Sequence, residues 1–256
     1  MTTNASHIFY IARSENYGQS IDDKTTGEFL GMTTSSAKLH EIDFDDYFRI
    51  PGTKTFSLKM IYPGLIIGAG YSHVYRKKEN EDRDKEKKQD FQLGFFFDHT
   101  TGMPVIPGSS VKGVLKAVFP KPGDQKEIRD EKEKYILEIG GNKLTKDLLS
   151  NWEEIFFKRN QVFHDAYLSG ISTGTKIFAD DYITPHTKGI FKNPEPHRFL
   201  KIAPGVTFTF QFKLHDFFLN GDMVLSKANI KEIFKQILLD FGIGAKRNVG
   251  YGAFIG

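Results

Sequence analysis

The residues best suited to chemistry lie in a glycine-rich loop near the end of the chain, Gly242–Gly252. Glycine has no Cβ, so a sugar-phosphate backbone can approach the main chain closely. Adjacent cations displace counterions from phosphates, and an aromatic ring offers a face on which a base stacks. The combination indicates contact with RNA. The residues of the loop predicted from their chemistry to contact RNA are Lys246, Arg247 and Tyr251.

The predicted elements around this loop exclude the common nucleotide-binding motifs. Ala228–Phe241 has the apolar spacing of an amphipathic helix, and Tyr251–Ile255 is short and apolar like a strand. In a P-loop or a dinucleotide motif the strand comes first and a helix N-terminus faces the phosphates. Arg247 also stands where the third glycine of GxGxxG would fall. The structural alternative is a glycine C-cap and a tight turn, which leaves the cations unexplained.

A second candidate phosphate site is the start of a helix predicted at Ser109 or Ser110. Apolar residues recur at helical spacing through Val111–Phe119, and the two serines are suited to N-capping. The exposed amides of a helix N-terminus attract phosphate. We therefore predict that RNA contacts Ser109, Ser110, Lys112 and Lys116. The alternative is a capped core helix whose lysines point to water. The segment is not a P-loop, because Val114 stands where the lysine is needed.

Composition limits the class of protein. The 256 residues include 24 Phe and no Cys, and the net charge is only +3. Aromatic packing must fill much of the core, and any RNA surface must be a local patch. The absence of cysteine excludes disulfides and thiolate nucleophiles. No signal-like or membrane-length apolar run is present, so we expect a cytoplasmic protein without a membrane partner. The sequence contains no nucleotide-binding glycine motif and no HxH or HExxH spacing, so we expect neither a cofactor nor a metal.

The pattern of strands and helices predicts an α+β fold. Thr55–Gly70 begins with alternating apolar residues, and Val206–Leu214 alternates over its whole length, so both indicate strands. With the two predicted helices they suggest a ferredoxin-like (RRM-like) core, an antiparallel sheet with two main helices and a large insertion.

Three parts of the chain are expected to lie outside that core. Residues 1–54 are predicted to form an irregular N-terminal extension to the domain at 55–256. Residues 76–90 contain no apolar side chain, so we expect a disordered charged loop. Residues 120–198 are interpreted as the insertion.

Four segments resemble the RAMP superfamily of CRISPR RNA-guided effector proteins, and most closely its sixth-numbered subunits from type III-B (Cmr) complexes. The glycine loop is typical of the whole superfamily. The Pro-Gly-Ser-Ser-x-Lys-Gly element, paired with an Asp-x-x-x-Pro-His segment, points to that subgroup. The resemblance leaves the N-terminal extension and the charged loop uncovered. The four segments are 102–116, 162–167, 180–186 and 242–252.

The resemblance implies a RAMP core that holds guide RNA toward its 3′ end and has no catalytic task. It implies guide RNA and target RNA as partners, with other Cmr subunits as neighbours: backbone RAMP, small subunit and end-capping RAMP. By position, the resemblance implies phosphate contacts at the helix start from Ser109, Ser110, Lys112 and Gly113, and an RNA groove lined by Gly244, Lys246, Arg247 and Asn248. Family members often have a small polar residue where Arg247 stands. The residues with an implied structural role in the motif are Asp165, Asp181, Pro185 and His186.

Other functions stay open from the residues themselves. A metal-independent endoribonuclease that processes CRISPR RNA would need a histidine to activate a 2′-hydroxyl, and His40, His164 or His186 is available. A metal-dependent hydrolase would rest on Asp180, Asp181 and His186. A protein-only scaffold is the third alternative. The RNA hypothesis adds one geometric expectation, that the glycine loop and the helix start form a single trough.

Overall fold

A computed structural model describes residues 48–67, 92–93, 95–98, 103–158, 160–183 and 197–256. Only the backbone is described at 92, 93, 183, 197 and 198. The charged loop 76–90, almost all of the predicted extension and the residues His40, Pro185 and His186 therefore lie outside the described residues.

The main sheet is antiparallel, with the strand order β12-β1-β9-β6-β4-β3 and a short strand β5 that also pairs with β9. The four strands β1, β6, β9 and β12 follow one another in the chain but lie in the spatial order β12-β1-β9-β6. That is the ferredoxin-like arrangement. The strands are β1 Lys54–Met60, β3 Phe96–Phe97, β4 Pro104–Ile106, β5 Val162–Phe163, β6 Ala166–Ile171, β9 Val206–Lys213 and β12 Phe254–Ile255.

Five helices are described. Two of them occupy the ferredoxin positions: α1 lies in the chain between β1 and β6, and α5 lies between β9 and β12. Both bury an apolar stripe, and α5 packs on β1 and β12 as well as on α1 and α2. The helices are α1 Gly108–Val118, α2 Lys126–Gly140, α3 Lys146–Ser150, α4 Trp152–Phe157 and α5 Lys227–Phe241. None of the helices in the described part of the chain combines the length and the apolar character needed to span a bilayer.

Phenylalanine fills the layer between helices and sheet. The alternation of β9 buries Phe208, Phe210 and Phe212, all fully, on the face that the helices cover. Phe234 of α5 lies among four other rings, with centroid distances of 5.5 to 6.1 Å. Those four rings are Phe156, Phe157, Phe163 and Phe212.

Two smaller sheets complete the description. Strand β8 pairs in parallel with β2 and antiparallel with β7, and Leu65 bridges this small sheet to the turn after β1. A hairpin of β10 and β11 turns at Asn220-Gly221, where both residues have positive φ. These strands are β2 Gln92–Leu93, β7 Phe178–Ile183, β8 His197–Ile202, β10 Phe217–Leu219 and β11 Asp222–Leu225.

The predicted α+β, ferredoxin-like core is confirmed. The predicted strand at Val206–Leu214 and helix at Ala228–Phe241 agree with β9 and α5 to within a residue at each end. Residues 120–198, interpreted from the sequence as an insertion, include β6, which pairs directly with β9 in the centre of the sheet. That segment thus contributes a core strand as well as peripheral helices. The sequence did not reveal β6, because its second half, Ser169–Ile171, is not fully buried and therefore does not continue the apolar pattern of its first half.

Candidate nucleic-acid interface

The glycines of Gly242–Gly252 allow the loop to pack against itself and against the turn after β1. Gly252 donates its N–H to the Gly64 carbonyl (2.8 Å) and accepts from the Ile243 N–H (2.9 Å). A Cβ on Gly252 would overlap the Ile243 carbonyl oxygen, and one on Gly244 would overlap the Ile66 carbonyl oxygen. Both glycines also have positive φ. Their first role is therefore close packing of protein backbone, and the loop is a rigid frame.

The tip of the loop, residues 245–249, is exposed and carries two adjacent cations. Lys246 adopts the left-handed conformation with φ +55°, which starts the short 3-10 turn Arg247–Val249. Arg247 donates from Nη1 to the Phe241 carbonyl oxygen (3.3 Å), at the negative end of the α5 dipole. That bond gives Arg247 a local structural role and leaves its charge unpaired by any carboxylate among the described contacts. Lys246, Arg247 and Asn248 thus project together from a fixed support.

Tyr251 belongs to a buried and half-buried cluster beside this tip. Its hydroxyl donates to Asp181 Oδ2 (2.5 Å), and Lys201 Nζ donates to the same oxygen (2.5 Å). The Lys201 ammonium lies 5.3 Å from the Tyr251 ring centroid and 6.0 Å from that of Tyr62. This cluster ties strands β7 and β8 to the glycine loop. It gives Asp181 the structural role that the sequence motif implies for it.

The pKa of Asp181 is lowered in this cluster. Burial by itself raises the pKa, but the hydrogen bonds from Lys201 and Tyr251 outweigh it. The same contact raises the pKa of Tyr251, since burial and the neighbouring carboxylate both disfavour the phenolate. At neutral pH the pair is therefore a carboxylate and a neutral phenol.

Asp181→Asn is expected to destabilise the protein by about 1 kcal/mol at pH 7, because the charge-assisted hydrogen bonds are lost at a partly exposed site. The lowered pKa means that the carboxylate stabilises the fold above the unfolded-state value of about 4, and that this contribution disappears as the pH falls through the folded-state value. Urea unfolding at pH 7 and pH 3 measures the change. The exposed Asp130→Asn is the control, and a deficit as large at pH 3 as at pH 7 would contradict the assignment.

The start of α1 differs from the sequence prediction. The helix begins at Gly108 with Pro107 as its N-cap, and neither serine caps it, so the predicted serine cap is wrong. The reason is that Asp165 takes this role from another element: its Oδ1 accepts from the Gly108 N–H at 2.7 Å. A carboxylate thus already occupies the position where phosphate was expected.

The two lysines of α1 contact α4 and strand β5. Lys112 donates to the Phe157 carbonyl oxygen (3.2 Å) and lies over the Phe163 ring at 5.3 Å. Lys116 forms a surface ion pair with Glu153 at 2.5 Å, which lowers the pKa of that carboxyl. Gly113 is different, since a Cβ there would meet nothing within 4 Å. Its exposed face, with that of Ser109, remains open to a ligand.

The structure does not bring the helix start and the glycine loop together. The glycine loop packs on the turn after β1. The end of β1 in turn lies beside the start of β9, where Gly205 donates to the Met60 carbonyl oxygen (2.8 Å). The start of α1 adjoins the other end of β9, because a Cβ on Gly108 would overlap the carbonyl oxygen of Phe163, which pairs with Phe212. Six residues of strand separate the two sites by about 20 Å. The expected single trough is therefore wrong, and the molecule offers two separate surfaces.

The remaining candidates for chemistry do not assemble into a catalytic group among the described residues. His164 Nε2 is buried and has no hydrogen-bond partner there. No group of three or more metal-ligating side chains occurs in the described part of the chain. Asp180 and Asp181 are successive residues of β7, so their side chains point to opposite faces of the strand.

Comparison with known proteins decides the family. The sequence model of the RAMP superfamily matches residues 57–255. This chain belongs to the RAMP superfamily. The RAMP protein is 26% identical over 170 residues to "CRISPR system CMR subunit Cmr6" of Saccharolobus solfataricus (strain ATCC 35092 / DSM 1617 / JCM 11322 / P2), an alignment that covers 64% of this chain and 49% of the relative. It spans about half the length of that curated relative.

Two solved structures resemble the RAMP protein. One is the cryo-EM structure of the Type III-B Cmr-beta bound to cognate target RNA, with 22% identity, a TM-score of 0.48 and coverage of 91% of this chain and 72% of the other. The second is the crystal structure of Cmr6 from Pyrococcus furiosus, with 22% identity, a TM-score of 0.43 and coverage of 79% and 97%.

Sequence reasoning missed Lys201 and Tyr62 of the RAMP protein. Lys201 had a detectable signal, because a single lysine inside the apolar run Phe199–Ile202 needs a buried partner. Tyr62 had none, since a tyrosine before a proline in a turn is unremarkable until its neighbours in space are known.

Proposed function

We propose that this RAMP protein is a non-catalytic RNA-binding subunit of a type III-B CRISPR RNA-guided effector complex. It holds the guide RNA toward its 3′ end beside neighbouring Cmr subunits in antiviral defence. The observation that carries the proposal is the exposed pair Lys246 and Arg247 on a loop whose backbone is fixed by close glycine packing. The identity to a CMR subunit supports the type III-B assignment.

The electrostatics of the loop fit a polyanion. The total charge of the chain is only +3, so attraction to RNA has to come from a local group. Asp181 neutralises Lys201, whereas neither Lys246 nor Arg247 forms an ion pair with a carboxylate among the described residues. Two cations held on a rigid frame bind phosphate with little loss of conformational freedom.

On α1, we propose RNA contact only at its exposed face. Ser109 and Gly113 are exposed on one helix face, while Lys112 and Lys116 are already engaged with α4. An RNA strand that contacts both α1 and the glycine loop has to span a distance of about the length of β9. We therefore assign the main phosphate contact to the loop.

A cluster of exposed apolar side chains on the β10–β11 hairpin supports the proposal that other proteins bind this chain. Phe218, Leu219 and Met223 of the β10–β11 hairpin are each more than half exposed. Apolar side chains gathered on one projecting hairpin are typical of a surface that another protein covers. We propose that the partners there are the other Cmr subunits, which include backbone, small and end-capping subunits.

The rival function, a metal-independent endoribonuclease, is disfavoured at His164. A general base must reach the proton that it abstracts, and the Nε2 atom of His164 is buried below the surface. Incubation of the purified protein with repeat RNA in EDTA distinguishes the two functions. Discrete cleavage that is lost in His164→Ala would establish the enzyme and refute the non-catalytic assignment.

Lys246→Ala combined with Arg247→Ala is expected to weaken the binding of single-stranded RNA to the full chain by about tenfold at 0.1 M salt. Two phosphate contacts are lost, so the slope of log affinity against log salt should become shallower by about one to two. Filter binding at several salt concentrations measures both quantities.

A matched control removes two lysines elsewhere. Lys143 and Lys146 are both exposed near α3, and their double alanine variant has the same net charge as the loop variant. It should bind RNA like the wild type. If the two double variants bind alike, the loop is not the RNA contact and the proposed function loses its main support.

A further inference from the structure

We infer that Tyr62 is a base-stacking platform for single-stranded RNA beside the cationic loop tip. The inference rests on the proposed function and assigns a residue that sequence reasoning did not single out. Three observations lead to it: the exposure of the ring, the rigidity of its support, and the way in which the neighbouring tyrosine is already occupied.

Tyr62 is exposed to an unusual degree for an aromatic residue. Its side chain is 82% exposed, the largest value among the exposed large apolar or aromatic side chains that the structure describes. A single exposed ring is common on protein surfaces and by itself indicates nothing. What distinguishes Tyr62 is its surroundings, because it belongs to a hydrogen-bonded turn that packs against the glycine loop carrying Lys246 and Arg247.

The support of Tyr62 is rigid on both sides. Ile61 donates to the Ala253 carbonyl oxygen (3.1 Å), and Gly64 donates to that of Ile61 (2.9 Å), which closes the turn. Pro63 is buried and contacts the glycine loop at Gly250. A ring presented from such a turn loses little freedom when a base stacks on it. Tyr62 and the loop tip thus belong to one fixed unit.

The neighbouring Tyr251, for which base stacking was predicted, is less available than Tyr62. Its hydroxyl is bound to Asp181, it is only partly exposed, and the Lys201 ammonium lies 5.3 Å from its ring centroid. The same ammonium lies 6.0 Å from the Tyr62 centroid, so it is close to both rings. Lys201 is itself buried, which makes it a support for the rings and not a phosphate contact.

The open face of the sheet offers less exposed rings in its described part than Tyr62. In RRM-type proteins, bases stack on exposed aromatic side chains of the sheet face. Here Tyr167 is 2% exposed and is covered by Phe48 at a centroid distance of 5.2 Å, and Phe96, which the strand register places on the same face, is half-buried. Tyr62 is far more exposed and lies at the sheet end that carries Lys246 and Arg247.

The test compares two probes of equal charge, a 12-nucleotide oligoadenylate and an abasic ribose-phosphate oligomer of the same length. Tyr62→Ala in the full chain is expected to weaken binding of the oligoadenylate by roughly 5- to 100-fold and to leave abasic binding unchanged. Tyr62→Trp should restore binding of the oligoadenylate. Lys246→Ala with Arg247→Ala should weaken both probes, because it removes phosphate contacts.

Tyr182→Ala is the matched control. Tyr182 is 54% exposed, and it follows Asp181 in β7, so its ring points to the opposite face of that strand. The Tyr182→Ala variant should bind both probes like the wild type. Each variant should melt at the wild-type temperature.

Each outcome decides between the two proposals. If Tyr62→Ala binds oligoadenylate normally while the cation variant does not, the platform is refuted and the proposed function stands. An equal loss on both probes, or no rescue by tryptophan, also refutes stacking. If the wild type binds neither probe, the proposed function fails and the platform fails with it.

Discussion

Gly252→Ala is expected to destabilise the protein by about 4 kcal/mol, the sum of a strained left-handed backbone and an overlap that forces the loop to move. The backbone φ at Gly252 is +75°, and an added Cβ would overlap the carbonyl oxygen of Ile243. That oxygen belongs to main chain held by hydrogen bonds on both sides, so it cannot move aside easily. A loss of this size is a large part of the stability of a typical domain.

Gly174→Ala is the control for this prediction. Gly174 has the same φ of +75°, but a Cβ there would meet nothing within 4 Å. It should cost only the backbone strain, about 1 kcal/mol. Urea unfolding gives both free energies. Equal losses in the two variants would mean that backbone strain alone explains Gly252, and that the close packing of the loop adds nothing.

Phe234→Ala is expected to cost about 4 kcal/mol, because it leaves a cavity in the aromatic centre of the core. The ring is fully buried and lies within 6.1 Å, centroid to centroid, of four other phenylalanines. Those rings come from α4, β5 and β9, so one side chain joins α5 to three other elements. The midpoint of urea unfolding should fall without a change in slope.

Phe241→Ala, at the last residue of the same helix, is the comparison. It is 41% exposed and contacts Tyr135 edge-on at 5.1 Å, so we expect a loss of about 1 kcal/mol. A loss at Phe241 as large as that at Phe234 would contradict the assignment of the Phe234 loss to a cavity in the buried core.

The predictions for Gly252 and for Lys246 with Arg247 assign different roles to two parts of the glycine loop, its packed glycines and its exposed tip. Changes at Gly252 should affect folding, whereas changes at the exposed Lys246 should affect ligand binding and leave the fold intact. The superfamily loop therefore combines two roles in one segment. Glycines make the close packing possible, and the packing holds the cations in place.

The sequence was a good guide wherever a pattern repeats locally. Alternation over Val206–Leu214 and helical spacing over Ala228–Phe241 depend only on neighbouring residues, and both elements form as predicted. Capping at α1 was predicted less well, because the group that satisfies the Gly108 amide comes from Asp165, 57 residues further along. Local pattern contains no information about such a partner.

The sequence by itself determined the fold class, the superfamily resemblance and the presence of cations on a glycine loop, since each depends on residue types at short spacing. The tertiary structure decided where these features lie. It separated the helix start from the loop by the length of β9, paired Tyr251 with Asp181 and left the Tyr62 ring largely exposed. These relations depend on strand order and on contacts between residues far apart in the chain, which periodicity does not encode.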